Sequence, residues 1–336
     1  MGLRLRGRWC LILLCIIGNA LDIVLCNTAA SVARACAAVG SRDVVSLDVE
    51  GRKLGRDGPI SLVQLATADG TAYVVDVVAL GAGAFVSGLK EILESERIVK
   101  LVFDCRTDCD ALLAQFGVRV RGVRDLQLLE VMTRCDDLDK QLSRLSPFLH
   151  HANVRGEQAI YKNVHRLSSL AYTMVEFEIV GKWVEAKKAT QQQFEDNPSF
   201  WMERPLAPEA LEYAAQDALL LFELLDAMIV RRELPAEYSV AADSRLETAS
   251  SLYADLKRSQ SQNVDADPKF NHPLLPLFIL DTIPRLPMEP PLLVCRGCQR
   301  EFPEAVFSRK AIRTRNTRCD VCRALDIREK TQRQWL

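Results

Sequence analysis

The stretch VSLDVEGRKLGRDGPISLVQLAT, residues 45–67, decides the fold of this chain. Residues 44–47 lead into SLDVEG and read as a strand, and residues 60–68 form a second apolar, β-branched run. Gly55 to Gly58 supplies a tight turn between them. Asp48 and Glu50 stand two apart near the end of the first strand, so both carboxylates point to one face of a sheet. Acids beside an apolar strand are costly to bury unless they are paired or bound to a cation. Two on one face invite a divalent ion, and oxygen ligands suit magnesium or manganese. A strand end facing solvent accounts for the same pair without an ion, so the pair needs partners from elsewhere in the chain.

Working outward, residues 21–26 read as a strand and 29–39 as an Ala-rich helix, with a further strand at 72–78. A helix over 85–93, a strand over 98–103 and a helix over 108–116 follow. From about residue 126 the pattern is mostly helical, and 208–229 carries apolar residues at helical spacing. Strands in hairpin spacing, then strands alternating with helices, predict an α/β class with a mixed sheet flanked by helices. The 336 residues, 49% apolar and 26% charged, suit a soluble globular chain with one large and one small domain, or two of moderate size.

Two more acidic elements could join the pair. In EALEYAAQDALLLFELL, Tyr213 and Asp217 lie four apart and project from the same side of one helix. Asp217 interrupts an otherwise apolar face, so it is solvated or it meets something charged. In VFDCRTDCDALLAQFGV, Asp104, Asp108 and Asp110 surround the start of a helix. Carboxylates there complement the helix dipole, and that role is expected of Asp104 and Asp110.

These three segments together resemble the ribonuclease D type of 3′-5′ exonuclease, the Tyr subtype of the DEDD superfamily. VSLDVEGRKLGRDGPISLVQLAT is similar to its first motif, including Gln64 in the following strand. KLVFDCRTDCDALLAQFGVRVRGVRDLQ resembles the second motif in the version found in Egalitarian-like proteins, and FWMERPLAPEALEYAAQDALLLFEL resembles the third. The resemblance covers roughly residues 21–235. It implies a ribonuclease H-like fold, a mixed five-stranded sheet flanked by helices. It further implies that Asp48, Glu50, Asp108 and Asp217 are metal-site carboxylates for two magnesium or manganese ions and that Tyr213 positions the attacking water. Asp108 stands four before Leu112, as in the ribonuclease D pattern, with Asp110 the alternative; Phe103 occupies a place where many relatives carry His. The implied activity is hydrolysis of the terminal phosphodiester of single-stranded nucleic acid, RNA favoured over DNA. The alternative is a catalytically silent RNA-binding or protein-binding adaptor on the same fold.

The C-terminal region reads separately. Cys295-x-x-Cys298 and Cys319-x-x-Cys322, twenty residues apart, have tetrahedral zinc spacing. So short a segment has too little core to fold unaided, and Phe302 and Phe307 are its candidate apolar contacts around the ion. It loosely resembles LIM-like or treble-clef fingers, which implies an interaction module. Residues 294–336 hold eleven Lys/Arg against five Asp/Glu, within a chain of net charge −1. Arg309, Lys310, Arg313, Arg315 and Arg318 could contact phosphates, and a protein partner suits the finger equally. The expected organisation is a leader over 1–20, an exonuclease domain over 21–237, a polar then Pro-rich linker over 238–291, and a zinc finger with basic tail over 292–336. Seven of the fourteen prolines fall in 268–291.

The other seven cysteines, Cys10, Cys15, Cys26, Cys36, Cys105, Cys109 and Cys135, lack a disulfide-like spacing and fit a reducing compartment, cytoplasm or nucleus. Against that, Arg4, Arg6 and Arg8 precede the apolar run WCLILLCIIG, the shape of a secretory or organellar leader. The run is too short for a stable membrane span. His150, His151, His165 and His272 have no metal-motif spacing and receive no role.

Overall fold

The computed structural model describes residues 22–134, 138–149, 161, 164–179, 192–194, 196–197, 199–255, 273–275, 279–280 and 291–334. The expected leader, Cys10, Cys15, Cys135, His150, His151, His272 and most of the expected linker lie outside the described residues. Among the described residues no helix is long and apolar enough to cross a membrane.

The described parts of 22–126 and 174–255 form one compact unit. Its sheet contains β1 (Asp22–Cys26), β2 (Val44–Gly51), β3 (Ile60–Ala66), β4 (Thr71–Asp76), β5 (Val99–Val102) and β6 (Val123–Asp125), in the order β1-β4-β3-β2-β5-β6. β2, β3 and β4 are antiparallel neighbours, whereas β1 runs parallel to β4 and β2, β5 and β6 run parallel to one another. The mixed sheet is as expected, with six strands in place of five. The strand missing from the sequence analysis is β6, whose three residues Val-Arg-Asp are all buried and show no period to detect.

Between β1 and β2 lies α1 (Ala29–Gly40), which starts with a capping box. The Thr28 hydroxyl accepts from Ser31 N, and the Ser31 hydroxyl accepts from Thr28 N. α2 (Arg106–Phe116) follows β5. Further along the chain come α3 (Leu138–Leu149) and the long helix α4 (Pro208–Arg231). α4 has Pro at its first turn, where the missing N–H costs nothing. It packs across β2, β3 and β4 through Ala214, Ala215 and Ala218, small residues that let helix and sheet approach closely.

The linker expected from residue 238 starts too early. α5 (Ser244–Ala254) occupies its first part, with Asp243 accepting from Leu246 N at 2.9 Å as the cap. Leu246, Ala249 and Tyr253 are buried, and Ser250 Oγ accepts from Asp125 N at 2.8 Å. Its apolar spacing is diluted by Ser and Thr, so the sequence reads as loop although packing against β6 and α2 makes it helix.

The second compact unit joins the described parts of 127–173 and 256–336. Here the finger strands β7 (Leu292–Val294) and β8 (Glu301–Pro303) form a hairpin, followed by α6 (Asp320–Gln334). The finger does not rest on Phe302 and Phe307 alone. Leu142, Leu145 and Leu149 of α3, with Tyr161, Val164 and Leu274, share one buried cluster with Phe302, Phe307, Val321 and Ala324. The Arg328 guanidinium of α6 stacks on the Phe148 ring at 4.0 Å. Part of the segment between the second and third acidic motifs thus shares a buried core with the finger.

Candidate active site

β2 lies between β3 and β5, and its Asp48 and Glu50 emerge half-buried on the face that α4 covers. α4 brings Asp217 to them, with a side chain 8% exposed. One carboxylate oxygen from each of Asp48, Glu50 and Asp217 lies within 4.8 Å of the other two. Three like charges at that spacing, two of them far from the third in sequence, are unfavourable unless something positive joins them. The donor set is all oxygen and suits a hard divalent cation.

Tyr213 stands one turn before Asp217. Its ring is fixed edge-on to Phe194 at 5.9 Å and against Trp201 at 5.8 Å. Burial, then the charges of Asp217, Glu50 and Asp48, push the phenol well above its usual range. That shift favours the protonated phenol, which hydrogen-bonds to Asp217.

The second motif divides its three aspartates sharply. Asp108 does not join the close trio, yet it stands near it: burial, then the charge of Asp48, raises its carboxyl well above the usual range. Asp110 instead accepts from Arg56 Nη2 at 2.9 Å, in the loop that follows Glu50. Asp104, at φ 55°, accepts two bonds from Arg106, at 2.6 and 2.7 Å. The helix-dipole role expected of Asp104 and Asp110 is therefore corrected to ion pairing with those arginines; Asp108 is the acid in the first turn of α2.

Several residues that hold this arrangement gave no signal in the sequence. Asp125, fully buried at the end of β6, accepts from Asp104 N at 3.2 Å and Cys105 N at 3.1 Å, fixing the start of α2. Gln115 donates to the carbonyls of Gly55 and Gly58, both at 2.8 Å, and accepts from Ile60 N at 3.1 Å. It pins the turn between Glu50 and β3 to α2. A Cβ at Gly58 would lie 1.8 Å from the Lys53 carbonyl, so only glycine fits that turn. Arg204 makes two bonds to Asp76, at 2.7 and 2.6 Å, and one to the Trp201 carbonyl at 3.0 Å, which secures the aromatic wall behind Tyr213. Polar side chains that bridge distant segments have no periodicity, and only the fold identifies their partners.

The four finger cysteines also converge. Cys295, Cys298, Cys319 and Cys322 carry no disulfide, and their sulfurs lie within 4.8 Å of one another. Cys319 N donates to Cys295 Sγ at 3.3 Å. A four-sulfur cluster on a hairpin and a helix fits a zinc finger.

Residues 23–231 match the model of a family described as 3′-5′ exonuclease. The mouse piRNA biogenesis protein EXD1 is 25% identical over 217 residues, 65% of this chain and 34% of that protein. Its human counterpart is 27% identical over 218 residues, 65% of this chain and 38% of that protein. An Egalitarian protein homolog of Caenorhabditis elegans is 32% identical over 108 residues, 32% of this chain and 19% of that protein. The chain thus spans less than half of the length of the mouse and human EXD1 proteins, 34% and 38%. Among solved structures, Trypanosoma brucei RNase D in complex with RNA U12 aligns with TM-score 0.55 at 23% identity, over 86% of this chain and 87% of that one. Its GMP complex aligns with TM-score 0.55 at 23% identity, over 74% and 68%. That likeness shows the fold.

Proposed function

The chain belongs to the 3′-5′ exonuclease family, and on that premise we propose that it hydrolyses the terminal phosphodiester of single-stranded nucleic acid, RNA in preference to DNA. The observation that carries this reading is the trio of Asp48, Glu50 and Asp217 oxygens within 4.8 Å, with the Tyr213 phenol on the same helix face as Asp217. Asp48, Glu50 and Asp217, with Asp108 nearby, would hold the magnesium or manganese that the reaction needs. Bound there, the ions would supply activation of the attacking water, stabilisation of the leaving 3′-oxygen and relief of phosphate charge. Tyr213 would orient that water by donating a hydrogen bond. RNA is favoured because the relatives are named for piRNA biogenesis and an RNase D of this fold is seen with RNA U12. The finger would bind zinc through its four cysteines and offer its arginines to nucleic acid or to a protein partner. Cytoplasm or nucleus is the proposed compartment, from the unbridged thiols.

A 3′-labelled oligonucleotide tests the reading. Asp48→Ala and Asp217→Ala are each expected to lose about 10²–10⁴ in rate with magnesium or manganese present and the fold intact. Undiminished cleavage by both variants would remove the site. The second reading, a silent adaptor, draws on the Egalitarian relative; RNA binding by a wild-type chain that never cleaves would establish it.

A further inference from the structure

Gln64 lies in the middle of β3, a strand whose seven residues are all buried. It is the register partner of Asp48 in the antiparallel β2–β3 pair, so the two side chains stand on the same face about 5 Å apart at Cβ. Gln64 is 0% exposed, and among the described residues neither its amide nitrogen nor its amide oxygen has a hydrogen-bond partner. Ser46, two residues before Asp48 on the same face, has a buried hydroxyl in the same condition. Leu62, Ala66 and Val74 share the sheet face of Gln64 and belong to a buried apolar cluster with Ala214 and Ala218 of α4.

A buried amide without a partner costs about 1–3 kcal/mol, and a Met of similar volume would avoid that cost. Here two such groups flank one carboxylate. Asp48 is also one of the acids that hold the cation in the ion-site reading.

We propose that Gln64 is a positioning residue for the ion site. Its amide N–H donates to the Asp48 carboxylate when a cation is held there, directly or through one ordered water, with Ser46 as a second donor. The inference rests on the ion-site reading given above. A ligating carboxylate keeps lone pairs that face away from its ion, and donors behind it fix its orientation. A neutral amide suits that place. Lys or Arg would neutralise the charge the cation needs, and Glu would add another negative charge to the group.

The experiment titrates Mn2+ into the full-length chain by calorimetry, comparing wild type, Gln64→Met, Ser46→Ala and Asp48→Asn, with thermal unfolding in metal-free buffer alongside. Wild type is expected to bind and Asp48→Asn to fail. Gln64→Met is expected to bind about 10–100-fold more weakly while unfolding at the same or a higher temperature, and Ser46→Ala to show a smaller loss. Unchanged Mn2+ affinity in Gln64→Met, with Asp48→Asn defective, overturns the inference and leaves the ion site standing. Earlier unfolding of Gln64→Met also overturns it, because the amide would then be serving the fold. A wild-type chain that binds no Mn2+ removes the ion site and this inference together.

Discussion

Arg56 and Asp110 form an ion pair at 2.9 Å that ties the loop after Glu50 to the helix presenting Asp108. The pair separates two aspartates two apart in sequence, leaving Asp110 as a strut and Asp108 within electrostatic reach of Asp48. The strut is asymmetric, since the Arg56 side chain is 46% exposed and that of Asp110 only 8%. Losing Asp110 returns Arg56 to water, whereas losing Arg56 leaves a buried carboxylate without its cation.

Denaturant unfolding should therefore rank the two variants. Asp110→Ala is expected to cost about 1 kcal/mol and Arg56→Ala about 2–3 kcal/mol. In the nuclease assay Asp108→Ala should lose about 10²–10⁴ in rate, and Asp110→Ala less than about tenfold. Equal losses of rate from the two aspartates would contradict the division of roles.

Gln115→Ala removes three hydrogen bonds to the 55–60 turn at once. Hydrogen exchange should rise at residues 52–60, and stability should fall by about 2–3 kcal/mol, given about 1 kcal/mol for each bond. Exchange that stays at the wild-type level would show the turn to be held by other contacts.

Tyr213→Phe keeps the ring packed against Phe194 and Trp201 and deletes only the donor. The rate is expected to fall about 10²-fold with the melting temperature little changed. Because the phenol is raised above its usual range, it remains protonated as pH rises through the working range. The pH–rate profile of the variant should then keep the wild-type shape at lower height; loss of an alkaline limb would show that the phenol acts as a base.

At Gly297 an added Cβ would lie 2.5 Å from the Cys322 sulfur and 2.6 Å from its Cβ. Neither is the far end of a flexible side chain. Gly297→Ala should accordingly lower the zinc content of the purified chain, measured by elemental analysis, from about one ion per chain for a four-cysteine site to well below it. Full zinc loading would show that the hairpin can move aside.

Zinc loss should also be felt in α3. Leu142, Leu145 and Leu149 share their buried cluster with Cys295, Cys319 and Cys322, so Cys322→Ser is expected to deprotect amides at 138–149 as well as at 291–334. Protection of α3 that survives melting of the finger would mean that the cluster is not one cooperative unit.

Much of this chain was legible before its fold. The strand bearing Asp48 and Glu50, the helix bearing Tyr213 and Asp217, and the paired Cys-x-x-Cys motifs each declare themselves through spacing within about twenty-five residues, where period and chemistry coincide. β6 and α5 did not, because three buried residues have no period and a helix diluted by Ser and Thr has a weak one. The roles of Asp104 and Asp110 were misassigned for a related reason. A helix start is a local feature that the sequence displays, whereas Arg56 is 54 residues from Asp110 and nothing in the spacing couples them.

The sequence by itself determined which residue types are available to hold cations, and on which strand, helix and finger they sit, because backbone periodicity is set by neighbours in the chain. Only the tertiary structure decided which acids converge, that the finger shares its core with α3, and that Gln64 is buried beside Asp48 with no partner among the described residues. Electrostatics and burial depend on distance in space, and a chain acquires those distances only when its sheet has paired and its helices have packed.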